Sequence, residues 1–308
     1  MLERACVTGA SGFVGSAIVQ ELAGRSVAVN ALVHRRNASP LGGTVRVIRA
    51  DLFEPASLDE SVRGCEAVIH LVGIIREEPK AGITFERLHV EATRNVVESA
   101  KRVGVKRFIQ MSALGARADA VSQYHKTKWK AEEIVRGSGM NWTIFQPSLI
   151  HGPGGEFMRM EARWVRKQAA PYLFMPYFGA GILGLGGAGT LQPVYVLDVA
   201  RAFVDAITNL KTVGRTYGLG GAERMSWPEM HRAAARAILG KNRAVLPIPA
   251  WYGRMLAAIV PGWLLPFNRD QIVMSQEDNT CDVSDFQRDF GWTPLGFAEA
   301  LREYSARL

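Results

Sequence analysis

At 308 residues, 48% hydrophobic and 21% charged, the chain is long enough to bury a substantial core in one large domain or two unequal ones. Its three cysteines, Cys6, Cys65 and Cys281, are scattered and odd in number, and its six histidines show no HExxH or paired spacing, which argues against a disulfide framework and against any metal site. The net charge of +8, from 37 basic and 29 acidic residues, suits anionic ligands or a membrane surface; no dense basic run with interleaved aromatics occurs, so no nucleic-acid partner is expected.

The first predicted element, Ala5-Cys6-Val7, follows Met1-Leu2-Glu3-Arg4 with no signal peptide before it, which predicts a cytoplasmic protein. A glycine turn comes next, Thr8-Gly9-Ala10-Ser11-Gly12-Phe13-Val14-Gly15, and then a helix-period segment, Ala17 to Leu22. Strand, glycine turn and helix together make a pyrophosphate cradle, because the glycines let the backbone approach closely and the helix start offers free N–H groups and a positive dipole end. The spacing is GxxGxxG rather than GxGxxG. Gly9, Ser11, Gly12, Phe13, Val14 and Gly15 are therefore candidate cofactor contacts.

Val27 to Val33 reads as the second strand and ends at His34-Arg35-Arg36, about where a dinucleotide fold normally places an acid on the adenosine ribose. Two guanidiniums there suit a bidentate grip on a 2′-phosphate, so NADP(H) is favoured over NAD(H). The third strand, Thr44 to Ala50, ends in Asp51-Leu52, where Asp51 is placed to accept from an adenine amino group. The fourth, Ala67 to Val72, ends in Leu71-Val72-Gly73, which lets the backbone pass close to the cofactor. A long helix from about Phe85 to Val103 follows, with Leu88, Ala92, Val96 and Ala100 on its apolar face and Gly104 terminating it.

The fifth strand, Arg107 to Met111, leads into Ser112, whose hydroxyl is placed to polarise a substrate carbonyl. Tyr124 and Lys128 then stand one helical turn apart, on one face, so that an ammonium can sit beside a phenol whose free pKa is near ~10 and favour its ionised form. Trp142 to Gln146 reads as the sixth strand. Alternation of strands and helices predicts an α/β architecture, a doubly wound parallel sheet of the Rossmann type with its ligand crevice at the carboxyl ends of the strands.

Residues 1–150, with 191–218 returning to them, form the expected dinucleotide-binding domain, and 151–190 with 219–308 a smaller, mostly helical substrate domain. In that second part Ser226-Trp227-Pro228-Glu229 is a helix start with serine as cap and glutamate three residues on. The glycine-rich stretch Phe178 to Gly189 reads as a mobile flap, too short to span a bilayer. With the apolar stretch Trp251 to Phe267 it lines a substrate pocket or a packed core; the sharper alternative is peripheral contact with the inner face of a membrane and a lipid-like or quinone-like substrate.

These residues together resemble a family. Gly9, Gly12 and Gly15, the Asp51-Leu52 pair, Ser112, and Tyr124 with Lys128 look like the extended and atypical short-chain dehydrogenase/reductases of the NAD-dependent epimerase/dehydratase kind. Gln146-Pro147-Ser148-Leu149-Ile150-His151-Gly152-Pro153 resembles their segment over the nicotinamide side, which adds Pro147, Ser148 and Leu149 as cofactor contacts, and Gln192 to Ala200 resembles their later strand and helix start. Arg269-Asp270-Gln271 and Glu277-Asp278-Asn279 are similar to the subfamily of the NAD(P)H-binding accessory subunit of respiratory complex I. The resemblance implies that Tyr124 is the general acid/base, that Lys128 lowers its pKa and bonds the nicotinamide ribose, and that Ser112 holds the substrate oxygen. It also makes a homodimer, formed by pairing two long helices, a common arrangement. Where relatives often carry asparagine, this chain has His89, a candidate proton relay or a structural histidine.

Three function classes follow. The leading one is an NADP(H)-dependent oxidoreductase acting on a carbonyl or hydroxyl carbon of a small-molecule substrate. The others are a nucleotide-sugar epimerase or dehydratase, for which Arg159, Arg163, Arg166 and Arg224 are available as diphosphate contacts, and a non-catalytic NAD(P)H-binding scaffold or redox sensor.

Overall fold

The computed structural model describes residues 2–34, 43–260, 265 and 267–308. The chain divides into two compact units. Unit 1 comprises Met1–Pro147, Val196–Leu219 and Val283–Trp292; unit 2 comprises Ser148–Tyr195, Gly220–Asp282 and Thr293–Leu308.

Unit 1 is built on a seven-stranded sheet. Its strands are β1 (Arg4–Thr8), β2 (Ala28–Val33), β3 (Val45–Arg49), β4 (Ala67–His70), β5 (Arg107–Met111), β6 (Asn141–Pro147) and a last strand, Arg215–Leu219. The order is Arg215–Leu219, β6, β5, β4, β1, β2, β3, with every pairing parallel. Central strands of such a sheet are covered on both faces and read as unbroken apolar runs, whereas β3 at the edge leaves Arg46, Val47 and Arg49 exposed. Chain direction across the sheet reverses between β1 and β4, where Thr8 stands opposite both Leu32 and His70. That is the switch point at which loops diverge and leave a crevice at the strand ends.

Helices α1 (Phe13–Gly24), α2 (Pro55–Val62), α3 (Ala92–Arg102) and α4 (Gln123–Arg136) flank the sheet, with α1 packed on the helix Val196–Thr208 and α2 on α3. Leu58, Val62, Val96 and Ala100 pack with Cys6, Val68 and Phe108 in one fully buried cluster, so Cys6 is a core residue. At the amino end of β5, opposite the strand ends that form the crevice, the buried Arg107 guanidinium donates to the carbonyls of Asn141, Ala206 and Ile207 and to the hydroxyls of Thr143 and Thr212. This saturation lets a cation stay inside, although burial lowers it to about 10.

The observed strands match the expected ones to within a residue or two, except that β4 stops at His70 and Leu71-Val72-Gly73 run on as irregular chain. The helix expected from Phe85 to Val103 starts as a π-helical turn, Glu86–Glu91, before α3. The wider turn brings His89 inward, and the Thr93 hydroxyl donates to the His89 carbonyl at 2.6 Å.

Unit 2 holds the helices Glu156–Val165, Trp227–Leu239, Ala250–Ile259, Arg269–Gln276 and Phe297–Tyr304, with three two-stranded ladders. Ser226 caps its helix as expected: Glu229 accepts from the Ser226 backbone N–H at 2.7 Å, and the Ser226 hydroxyl accepts from the Glu229 N–H at 3.4 Å. The glycine-rich stretch differs from the expected flap. Ala180 and Gly186 are bonded across the loop, a Cβ at Gly179 would lie 1.8 Å from the Gly184 carbonyl, and one at Gly189 would lie 1.9 Å from the Glu277 carbonyl. Gly179, Gly184, Gly186 and Gly189 serve close backbone packing. Among the described residues no helix is long and apolar enough to cross a membrane, and no cluster of three or more potential metal ligands occurs.

Candidate active site

The site is built within unit 1, at the carboxyl ends of β1, β4 and β5. β1 leads into Gly9, whose φ of 72° is left-handed and open to glycine at little cost. The Gly12 N–H closes the turn onto the Gly9 carbonyl at 3.0 Å, and a Cβ on Gly15 would lie 2.1 Å from that same carbonyl. Gly12 caps α1 without any side-chain hydrogen bond, so the first N–H groups of Phe13 and Val14 have no capping acceptor. Ser11 is half-buried beside them. An uncapped helix start behind a turn that admits no side chain fits a pyrophosphate.

Gly9 also packs against the chain after β4: a Cβ there would contact Leu71 and Val72 at 3.5 Å. The Thr8 hydroxyl bonds the His70 imidazole at 2.6 Å and accepts from the Leu71 N–H at 3.3 Å, which locks the two strand ends together. Burial, reinforced by the Lys128 charge, lowers His70 to about 3, so it acts as a neutral strut. The Asp51 carboxylate accepts from the Phe53 N–H at 2.9 Å, and the Leu52 carbonyl accepts from Asn95 at 2.9 Å, so this pair is held by its own turn and by α3. His34 is exposed just past β2. Arg35 and Arg36, on which the NADP(H) preference rests, lie outside the described residues.

Lys128 links the end of β5 to Gly73 in the loop after β4. Lys128, 3% exposed, donates to the Met111 carbonyl at 3.2 Å, and its Nζ would lie 2.8 Å from a Cβ on Gly73. Ser112, the next residue after Met111, is buried, and its hydroxyl has no hydrogen-bond partner among the described residues. Its backbone N–H is tied to the Phe145 carbonyl at 2.7 Å, which anchors its main chain at the end of β5. Tyr124, one turn before Lys128, is half-buried with Phe85, His89 and His125 set edge-on around its ring at 5.4 to 5.9 Å.

The electrostatics differ from the simple pairing expected of a phenol beside an ammonium. Burial raises Tyr124 to about 12, with no counteracting effect from Lys128, whose ammonium is turned to Met111. Lys128 is itself lowered to about 8 by burial, opposed by Glu132 one turn further on. Glu132 is buried, accepting from Gln146 at 2.8 Å and pairing with Arg136 at 2.7 Å. Tyr124, Lys128, Glu132 and Arg136 thus follow one another at four-residue intervals along α4. That ladder was readable in the sequence, yet Glu132 was not picked out as the group that keeps a buried lysine charged.

His89 has both ring nitrogens committed. Nδ1 meets the Thr127 hydroxyl at 2.9 Å, and Nε2 meets the Ile74 backbone N–H at 3.1 Å. Thr127 also donates to the carbonyls of Gln123 and Tyr124, and Nε2 lies as close to the Ile74 carbonyl, 3.2 Å, as to its N–H. Burial and Lys128 lower His89 to about 2, and it serves as a neutral brace between the π-helical turn, α4 and the loop after β4. The geometry favours the structural histidine over the proton relay.

Of the remaining candidates, Pro147 ends β6, and its carbonyl accepts from the Leu114 N–H at 3.0 Å. Ser148 and Leu149 belong to unit 2: the Ser148 hydroxyl donates to Asn279, and the Leu149 carbonyl accepts from Val194 at 3.0 Å.

With this geometry in view, comparisons with known proteins become informative. A protein-family model described as NAD(P)H-binding matches residues 9–162, from the glycine turn through α4 and past β6. A ceramide reductase of Caulobacter vibrioides is 30% identical over 263 residues, covering 83% of this chain and 77% of its own. The mitochondrial NADH-ubiquinone oxidoreductase 40 kDa subunit of Neurospora crassa is 26% identical over 310 residues, 97% of this chain and 78% of its own. Among solved structures, the UDP-glucose 4-epimerase of Thermotoga maritima, with UDP-glucose, superposes with a TM-score of 0.75 at 19% identity, covering 99% of this chain and 98% of that one. That likeness establishes the fold.

Proposed function

The chain belongs to the NAD(P)H-binding family, and on that premise we propose that it is an NADP(H)-dependent oxidoreductase acting on a carbonyl or hydroxyl carbon, with Tyr124, Lys128 and Ser112 as its catalytic residues. The observation that supports this reading is a buried Ser112 hydroxyl without a partner among the described residues, directly after the Met111 carbonyl that holds the buried Lys128 ammonium, with the half-buried Tyr124 one helical turn before that lysine. Gly9 to Gly15, the α1 start and Gly73 would hold the dinucleotide, which supplies the hydride when bound.

Ser112 Oγ donates its hydrogen bond to the substrate oxygen and sets the carbonyl in line. Tyr124 Oη delivers the proton to that oxygen as charge builds on it. Lys128 Nζ, charged below pH about 8 and resting on the Met111 carbonyl, would swing toward the phenolate left behind, where low polarity strengthens the attraction. Arg35-Arg36 supports NADPH over NADH, since a guanidinium pair suits a 2′-phosphate and repels nothing there. Likeness to a ceramide reductase supports an apolar, lipid-like carbonyl or hydroxyl compound as substrate.

The test begins with the cofactor released on denaturing the purified protein, followed by affinities for NADPH and NADH. Turnover of a panel of carbonyl compounds, long-chain ketones included, is then compared for wild type and Tyr124→Phe. NADPH oxidation that falls by roughly 10²-fold or more in Tyr124→Phe supports the proposal. Unchanged turnover in the variant removes Tyr124 from the mechanism; a tightly held cofactor with turnover of sugar nucleotides alone replaces the reductase with an epimerase. Equal affinity for the two cofactors, unaltered by Arg35→Ala with Arg36→Ala, overturns the NADP(H) preference.

A further inference from the structure

Unit 2 carries an apolar surface that the redox site does not use. The helix Ala250–Ile259 turns Trp251, Met255 and Ile259 to solvent at 48%, 42% and 73% exposure. Positions i, i+4 and i+8 stack into one stripe along a helix. The braced glycine loop adds Ile182, Leu183 and Leu185, 71 to 82% exposed. Trp251 Nε1 donates to the Ile182 carbonyl at 3.0 Å, and a Cβ on Gly184 would contact the Pro249 backbone at 3.0 Å, so loop and helix make one continuous face. Between them lies an open cleft of about 470 Å³ whose single charged lining residue is Arg254. Arg254 makes no ion pair among the described residues.

The distribution of charge indicates what covers this face. From Met230 to Asn268 there is no aspartate or glutamate, while Arg232, Arg236, Lys241, Arg243 and Arg254 all occur there. The stretch 162–195, which contains the loop, is likewise without acids and contains Arg163, Arg166 and Lys167. Arg243 donates to the Tyr172 carbonyl at 3.0 Å, beside the exposed Leu173. Glu277 and Asp278 pack at Gly189 and Thr190, where Asp278 accepts from the Thr190 N–H at 2.8 Å; the apolar side chains braced on this folded surface, an indole whose polar edge is already bonded and the Arg254 guanidinium at the cleft complement a bilayer boundary with anionic headgroups.

We propose that this face of unit 2 docks on an anionic lipid bilayer. Ile182, Leu183, Leu185, Met255 and Ile259 enter the headgroup boundary, and Arg254 pairs with a lipid phosphate at the mouth of the cleft. The proposal uses none of the residues of the redox reading and stands or falls separately from it.

The test is flotation of the intact protein with vesicles of phosphatidylcholine, alone or with about 30 mol % phosphatidylglycerol, at about 50 mM and about 500 mM NaCl. Wild type floats with the anionic vesicles at low salt and is mostly released at high salt. Ile182→Asp with Met255→Asp, and separately Arg254→Glu, lower the bound fraction by roughly tenfold, with melting midpoints unchanged because these side chains face solvent. Wild type that stays with the soluble fraction, or variants that float as wild type does, overturn the proposal. So does a concentration-dependent dimer dispersed by the same substitutions, which assigns the face to a second copy of the chain.

Discussion

Replacing Lys128 by methionine should make the protein more stable and less active at once. The ammonium is buried, has one hydrogen bond to the Met111 carbonyl at 3.2 Å, and is lowered from 10.5 to about 8 chiefly by burial. At 1.36 kcal/mol per pKa unit, holding that charge inside costs folding about 3 kcal/mol at neutral pH. Methionine keeps an apolar stem of similar length and removes this cost. It strands the Met111 carbonyl, a loss of about 1 kcal/mol, and leaves Glu132 with its Arg136 and Gln146 partners. The net gain is about 2 kcal/mol, or about 3 °C in the melting midpoint of a chain this long. The pH dependence has a definite sign. Below pH about 8 the lysine is charged in both folded and unfolded chains, so the cost is fully present; above pH 10.5 it is neutral in both, and the cost is gone. Wild type therefore gains stability relative to Lys128→Met as pH rises through this window. Urea melts of the two proteins at pH 7 and near pH 10.5, beside turnover measurements, check both statements. A variant less stable than wild type at pH 7, or an advantage equal at both pH values, would refute the reasoning.

Tyr124→Phe should keep the fold and cofactor affinity while lowering turnover by roughly 10²- to 10⁴-fold, read from kcat with NADPH binding measured in parallel. Gly15→Ala places a methyl 2.1 Å from the Gly9 carbonyl, so the turn must open; cofactor affinity should collapse and stability fall by roughly 1–3 kcal/mol, measured by titration and urea melts. Gly73→Ala presses closely only on the movable end of Lys128, at 2.8 Å, and touches the His89 ring at an ordinary 3.4 Å, so its melting midpoint should hardly change while kcat drops as the ammonium is displaced. In unit 2, His231→Ala leaves the buried Glu161 carboxyl without its 2.8 Å partner and should cost roughly 2–4 kcal/mol in urea melts with little change in NADPH affinity.

The parallel sheet was legible because its signals are local. Each central strand is a short apolar run bounded by glycine or charge, and crossover rules leave few ways to assemble such runs. The candidate site residues are local patterns too: Gly9 to Gly15 and Ser112 follow strand ends, which converge in a doubly wound sheet, and Tyr124 and Lys128 stand one turn apart on α4. The π-helical turn was not, since its sequence is ordinary helix and only the inward pull of His89 toward Thr127 and Ile74 distinguishes it. The glycine-rich loop of unit 2 reads as freedom in one dimension and as close packing in three, because its neighbours, Pro249 and Glu277, come from distant parts of the chain.

Residue identity by itself therefore determined the architecture and the inventory of groups able to move a proton, because strand ends and helical spacing are properties of short segments. Tertiary structure alone decided the electrical state of those groups. A lysine and a tyrosine four residues apart are on one face in any helix, but whether the ammonium turns to the phenol or to the Met111 carbonyl depends on what surrounds them. Burial among residues tens of positions away moves the pair to about 12 and about 8, with Glu132 a turn beyond holding Lys128 up against it. Desolvation depends on neighbours brought together by folding, and no local pattern encodes it.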